Sequence, residues 1–190
     1  MFRDSHSFRP AVERLFFAIL PPRQLALGMA AWSERELGQG WQVQHTDRLH
    51  VTLAITEDFR RLPVHLPDRL LRVGEMVAAQ PVTVTLDRLT VSNRSAALRS
   101  SRANADLKAL HQSIGQAMTL MQVPMRENWT FSPHMTLGYR DGRPAHRPVE
   151  ARQWQAEEFV LIRSLVGRTR HLTLGRWPLR AAPAAQYELF

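Results

Sequence analysis

Hydrophobic and polar positions change rhythm several times along this chain. Leu15-Phe16-Phe17-Ala18-Ile19-Leu20 is an unbroken apolar run closed by Pro21-Pro22, and its length reads as a short buried strand. Pro22 then opens a helix that runs to about Gly38, with Leu25, Met29, Trp32 and Leu37 as its buried stripe. Proline is tolerated at a helix start, where its missing N–H has no partner in any case, and glycine can close the far end. From Arg48 to Thr56 the period drops to two. Leu49, Val51, Leu53 and Ile55 face one way, and His50, Thr52, Ala54 and Thr56 the other. That alternation marks a strand with one face packed and one face free for chemistry.

Further along, Pro63 to Pro67 reads as a loop and about Asp68 to Gln80 as a helix. Val82 to Leu86, Leu89 to Ser92 and Ala96 to Ser100 read as strands, the last two around a turn at Asn93-Arg94. Asn104 can cap a helix whose apolar residues Leu107, Leu110, Ile114, Ala117, Met118 and Met121 keep the 3.6-residue period. A strand from about His134 to Arg140 ends at the turn signal Asp141-Gly142-Arg143-Pro144. Phe159 to Val166 and His171 to Leu179 form a last pair of strands. Residues 1–13 read as a loose arm and 181–190 as a tail. Strands and helices alternate without a regular βαβ rhythm, so the expected class is α+β with antiparallel or mixed sheets, in one unit spanning 1–190.

Composition narrows the picture. A chain of 190 residues can bury enough surface to fold without staples, and its lack of cysteine excludes a disulfide scaffold, a thiolate zinc site and a cysteine nucleophile. The longest apolar run falls far short of the ~20 residues that span a bilayer and of a signal-peptide core, so the expected setting is cytoplasmic, away from membranes. Basic residues outnumber acidic ones 25 to 17, a net charge of +8, and only Lys108 among them is lysine. The planar arginine fork grips phosphate bidentately, which suits a polyanionic partner such as RNA. GC-rich codon usage also favours arginine over lysine, but does not account for the excess of positive charge.

One echo carries the chemistry. Leu49-His50-Val51-Thr52-Leu53 and Pro133-His134-Met135-Thr136-Leu137 share His-x-Thr-Leu, 84 residues apart. In a strand, residues two apart project from one face, so two such strands side by side would surround a small cavity with two imidazoles and two hydroxyls. A third copy, His171-Leu172-Thr173-Leu174, lies near the end of the chain, where random order would give fewer than one copy in all. Only the first two copies open a well-alternating strand after a polar or proline-containing loop.

Four blocks now stand in order: Arg14-Leu15-Phe16-Phe17-Ala18-Ile19, Leu49-His50-Val51-Thr52-Leu53-Ala54, Phe131-Ser132-Pro133-His134-Met135-Thr136-Leu137, and Gly167-Arg168-Thr169-Arg170 through Arg176-Trp177-Pro178-Leu179. Together they resemble the two-histidine phosphoesterase superfamily, and within it the RNA 2′,3′-cyclic phosphodiesterase branch, historically called 2′-5′ RNA ligase. The resemblance runs from about Arg14 to Leu179. It implies a bilobal fold with a pseudo-two-fold, two sheets flanking a central cleft, and helices outside. It also implies His50 as general acid to the ribose 3′ oxygen and His134 as general base to water, giving a 2′-phosphate. Thr52 and Thr136 would hold the phosphate, with Arg140 as a further candidate. His171 falls where relatives often carry tyrosine and reads as a decoy. Two departures stand out. Relatives usually continue the first motif with Phe-Leu-Gly, where this chain has Ile55-Thr56-Glu57. Many place arginine five residues after the second histidine, where this chain has Tyr139 and then Arg140.

Such chemistry needs no metal or cofactor. A strained cyclic diester opens with one base for water and one acid for the leaving oxygen, and histidine can serve as either near neutral pH. The expected partners are RNA ends or small cyclic-phosphate nucleotides, the expected state a monomer, and the reverse reaction a 2′-5′ ligation. Trp41, Trp129 and Phe131 flank the motifs and could stack on a base or pack in the core, the role expected of Trp177. Three alternatives stay open: a module that binds RNA ends without turnover, a zinc site of His50, His134 and His171, and a relative acting on another cyclic phosphate or a 2′,5′-linked oligonucleotide.

Overall fold

The computed structural model describes residues 12–140, 143–166 and 170–180. The first apolar run forms β1 (Val12–Ile19), which hands over at Pro21-Pro22 to α1 (Arg23–Leu37). A two-residue strand, β2 (Gln42–Val43), and a 3-10 turn (Thr46–Arg48) precede β3 (Val51–Ile55). Then come α2 (Leu66–Met76), β4 (Val82–Val91), β5 (Ser95–Arg99) and α3 (Ala105–Leu120). Four strands complete the order: β6 (His134–Tyr139), β7 (Ala145–Ala156), β8 (Glu158–Val166) and β9 (Arg170–Pro178).

The strands form one path, β7-β4-β5-β6-β3-β1-β8-β9, with β2 alongside β6. Every pairing in it is antiparallel. Two four-stranded halves meet at β3 and β6, joined by the single register pair Val51↔Met135. On either side of that seam the chain repeats a pattern, β1-α1-β3 and β5-α3-β6, each ending on a strand with a His-x-Thr motif. The class is α+β.

All three helices contribute to one core on one face of the sheet. Met29 of α1, Leu70 and Val73 of α2, and Leu107, Leu110, Ile114, Ala117 and Met118 of α3 pack there against Leu15, Phe17, Val51, Leu53, Met135 and Leu137. Burying each large aliphatic side chain contributes about 1.5–3 kcal/mol, which is what fastens the helices to this face. Among the described residues the opposite face carries a small apolar group, Phe16, Ala18, Ile55, Val160 and Ile162, with Leu20 and Trp129 packed against it, and no helix covers it. That uncovered face is where the polar members of the alternating strands point.

The structure corrects several sequence expectations. In α1, Ala26, Met29 and Ser33 are buried, while Leu25, Trp32 and Leu37 are half-buried at the edge of the core. α2 starts at Leu66 and ends at Met76, placing Pro67 inside its first turn. Val82–Leu86 and Leu89–Ser92 fuse into β4, whose register against β7 shifts between Leu86 and Arg88 so that Leu86 and Leu89 both reach the core. The alternation in β3 also slips: Phe17 pairs with Ala54 and Ala18 with Thr52, leaving Leu53 as an extra residue. Ala54 therefore joins the main core, Ile55 moves to the uncovered face, and Thr56 is buried. No sequence pattern announces β7, because it is an edge strand with only Trp154 and Ala156 buried and so carries no period-two signal. Val12 and Glu13, read as part of the arm, belong to β1. Residues 1–11, the turn residues Asp141 and Gly142, residues 167–169 of the fourth block, and the tail 181–190 lie outside the described residues.

Candidate active site

The two motifs meet at the seam. Val51, Leu53, Met135 and Leu137 are fully buried toward the helices, so His50, Thr52, His134 and Thr136 emerge half-buried on the uncovered face. Continuing the antiparallel Val51↔Met135 register by one residue each way sets His50 across from Thr136 and Thr52 across from His134. Each imidazole thus stands beside the hydroxyl of the other motif.

How His50 gets there follows from a bulge. β2 pairs Gln42↔Tyr139 and Val43↔Gly138 with β6, and β3 pairs with the same strand at Val51↔Met135. Residue numbers in the first pairs sum to 181 and in the last to 186, so five extra residues loop out between β2 and β3. The 3-10 turn Thr46–Arg48 lies in this excursion and delivers Arg48 and then His50 to the cleft face.

Both imidazoles are held alike. His50 Nδ1 donates to the Arg48 carbonyl at 2.7 Å, and His134 Nδ1 donates to the Ser132 carbonyl at 2.7 Å. A carbonyl only accepts, so the proton sits on Nδ1 and Nε2 is left for chemistry. Burial pushes His50 down to about 4 against the pull of the Arg48 carbonyl, helped by the charges of His171, His134 and Arg48. Burial likewise lowers His134, opposed by its Ser132 hydrogen bond and reinforced by Arg99. Without a ligand, both rings are neutral near pH 7.

The third His-x-Thr copy does not stand apart as a decoy. The His171 ring meets the His50 ring edge-on at 5.4 Å, and Phe16 packs against both, at 4.8 Å from His50 and 5.5 Å from His171. β9 is separated from β3 by β1 and β8, so this contact means that the half-sheet curls over its own uncovered face. Burial and the Arg48 charge push His171 down to about 4 against the opposing pull of the Asp47 carboxylate. Among the described residues no three histidine or carboxylate side chains form a metal-binding group, so the three-imidazole zinc arrangement does not assemble.

Arg140 is not brought to this group. Its side chain is exposed and donates to the Gln39 carbonyl at 3.0 Å, packed beneath Gly40. Two other arginines are close to the imidazoles. Arg48 precedes His50 by two residues, and Arg99 sits across from His134 in the β5–β6 register, donating to Ser132 Oγ at 2.8 Å. The first could have been found from its place beside the motif; the second needs the pairing of strands far apart in the chain.

Around the site, the Ile55-Thr56-Glu57 departure has a structural use. Thr56 Oγ1 bonds to the backbone of Leu15, and Asp58 pairs with both Arg14 and Arg126. Glu57 Oε1 accepts from the Glu127 N–H at 2.6 Å, and the Arg126 N–H donates to the Ile55 carbonyl at 2.8 Å. This network docks the segment that carries Trp129 against the cleft face. Trp41 and Phe131 pack on the main core instead, as does Trp177. Phe131 also stacks at 4.2 Å on His111, whose Nδ1 donates to the Leu53 carbonyl close to the seam. A cavity of about 940 Å³ is lined by Leu20, Arg23, Leu27, Trp154 and Glu157 among others and contains none of the four motif residues. The four motif residues stand on the sheet face opposite the core that the helices form.

The model of the 2′-5′ RNA ligase superfamily matches residues 21–168. The fold is similar to that of Escherichia coli LigT crystallised with 3′-AMP, at 22% identity and a TM-score of 0.74, over 90% of this chain and 99% of LigT. A crystal structure described as a phosphoesterase aligns at 23% identity and a TM-score of 0.73, over 90% of this chain and 99% of its own. The protein TT0787 of Thermus thermophilus aligns at 21% identity and a TM-score of 0.68, over 88% of this chain and 98% of its own. No curated protein matches the sequence.

Proposed function

This chain belongs to the 2′-5′ RNA ligase superfamily, and from that premise we propose that it hydrolyses RNA 2′,3′-cyclic phosphate ends to 2′-phosphates, with His50 and His134 moving the protons. The observation that carries this reading is the matched pair of imidazoles at the seam, each with Nδ1 tied back and Nε2 free, each beside a threonine hydroxyl. LigT has been crystallised with 3′-AMP, phosphate, ATP and NADP+, which supports a nucleotide as ligand.

His134 Nε2 takes a proton from water as its oxygen attacks phosphorus. The bond from phosphorus to the 3′ oxygen breaks on the opposite side, and that oxygen leaves with the proton from His50 Nε2. His50 must therefore be charged before reaction, although burial keeps it neutral in the empty site. The anionic phosphate supplies the missing counter-charge and raises its proton affinity on binding. Thr52 and Thr136 donate to the non-bridging oxygens. A 5′-hydroxyl in place of water gives a 2′-5′ linkage with the same groups. A monomer acting on RNA ends in the cytoplasm completes the reading.

The test is incubation of a nucleoside 2′,3′-cyclic phosphate with the protein in EDTA, beside His50→Ala and His134→Ala. Wild type is expected to release the 2′-phosphate, and each variant to be slower by roughly 10²–10⁴-fold. An inert wild type that still binds RNA ends would replace hydrolysis with end recognition.

A further inference from the structure

We infer that Arg48 and His171 form an anion clamp on the His50 side of the cleft, gripping the non-bridging oxygens of the substrate phosphate. The inference rests on the phosphodiester reading above and assigns it two residues outside the His-x-Thr pairs.

Arg48 is conspicuous for what it lacks. Arg14, Arg126, Arg163 and Arg176 each meet a carboxylate. Arg48 is half-buried, its Nε is buried without a hydrogen-bond partner, and no carboxylate pairs with it among the described residues. The adjacent Asp47 turns instead to His45, at 2.7 Å. A guanidinium withdrawn from water and left without a counter-ion is costly, and an anion at the cleft removes that cost. His171 shows the same deficit: its Nδ1 is buried and unpartnered, whereas the equivalent atoms of His50 and His134 are spent on carbonyls. The His171 ring lies edge-on to His50 with the ring centres 5.4 Å apart, so the residue stands beside the acid.

Arg140, the cation nearest the second motif in sequence, is held by the Gln39 carbonyl. Arg48 supplies the cation instead, from the 3-10 turn ahead of β3. Its own carbonyl anchors His50 Nδ1, so clamp and acid move as one unit. A planar fork of donors matches two phosphate oxygens, and a neutral imidazole can add a third donor.

Binding of inorganic phosphate, followed by 31P NMR, tests the clamp without requiring turnover. Wild type is compared with Arg48→Gln, Arg48→Lys and His171→Phe, each checked for native circular dichroism. Arg48→Gln is expected to weaken phosphate binding roughly tenfold or more and His171→Phe severalfold, with Arg48→Lys in between because it keeps charge without the fork. KM for the cyclic nucleotide should rise in the same order. Unchanged phosphate affinity in folded Arg48→Gln overturns the clamp, and if that variant does not fold, unchanged affinity in both Arg48→Lys and His171→Phe overturns it equally. A wild type that binds phosphate through Arg48 and His171 yet leaves the cyclic nucleotide intact supports the clamp while removing the hydrolytic reading.

Discussion

Three imidazoles whose proton affinity is set by burial govern this protein at the scale of single residues. His50 and His171 are both pushed down to about 4, and His134 is lowered in the same direction. In the unfolded chain these groups take up protons as pH falls through about 6.5, while in the folded protein His50 and His171 resist until about 4 and His134 also takes up its proton below its ordinary range. Protons then favour unfolding, so stability should be constant above about pH 7 and fall as pH drops from 6.5 toward 4. Most carboxylates are still ionised in the upper part of that window, which separates the histidine effect from ordinary acid denaturation. Thermal midpoints measured between pH 7.5 and 4.5 check this, and a flat profile would contradict the buried neutral rings. His171→Phe should flatten the slope. Of these residues His50 and His134 are legible from the motif and its spacing. The role of His171 is not, because the contact that matters is with a strand more than a hundred residues earlier in the chain.

At the scale of elements, Trp177 of β9 packs tightly against α2. A Cβ on Gly74 would lie 2.2 Å from Trp177 Cε2, and one on Gly175 would lie 2.4 Å from Trp177 Cη2. Trp177 has little room to yield, since its ring stacks on Phe159 at 5.3 Å and lies 5.9 Å from Phe17. Gly74→Ala gains about 1 kcal/mol of helix propensity but meets about 1–3 kcal/mol of overpacking. Packing wins, and the thermal midpoint should fall by a few degrees. A rise would show that Trp177 swings aside. The elements themselves are readable wherever enough apolar surface is buried, on one face as in α3 or on both as in β8. β7 is not, because an edge strand buries too little for its pattern to show.

At the scale of the whole molecule, the halves of the sheet meet at one backbone pair, with every helix on one side and the motifs on the other. If the proposed RNA substrate is right, the net charge of +8 should favour a chain of phosphates. Binding of an RNA oligonucleotide ending in a cyclic phosphate should weaken steeply with salt, and binding of a cyclic mononucleotide much less. Titrations at several salt concentrations give the two slopes, and equal slopes would confine recognition to the terminal nucleotide.

The amino-acid order alone gives the α+β class, the helix-facing stripes, the His-x-Thr pairs and the excess of positive charge, because each is a matter of local period or residue chemistry. It does not give the partnership of His171 with His50, the unpaired Arg48, the place of Arg99 or the diversion of Arg140. Those depend on which strands become neighbours and on bulges that shift side chains from one face to the other. Burial and hydrogen bonding between distant segments decide both, and no local pattern encodes them.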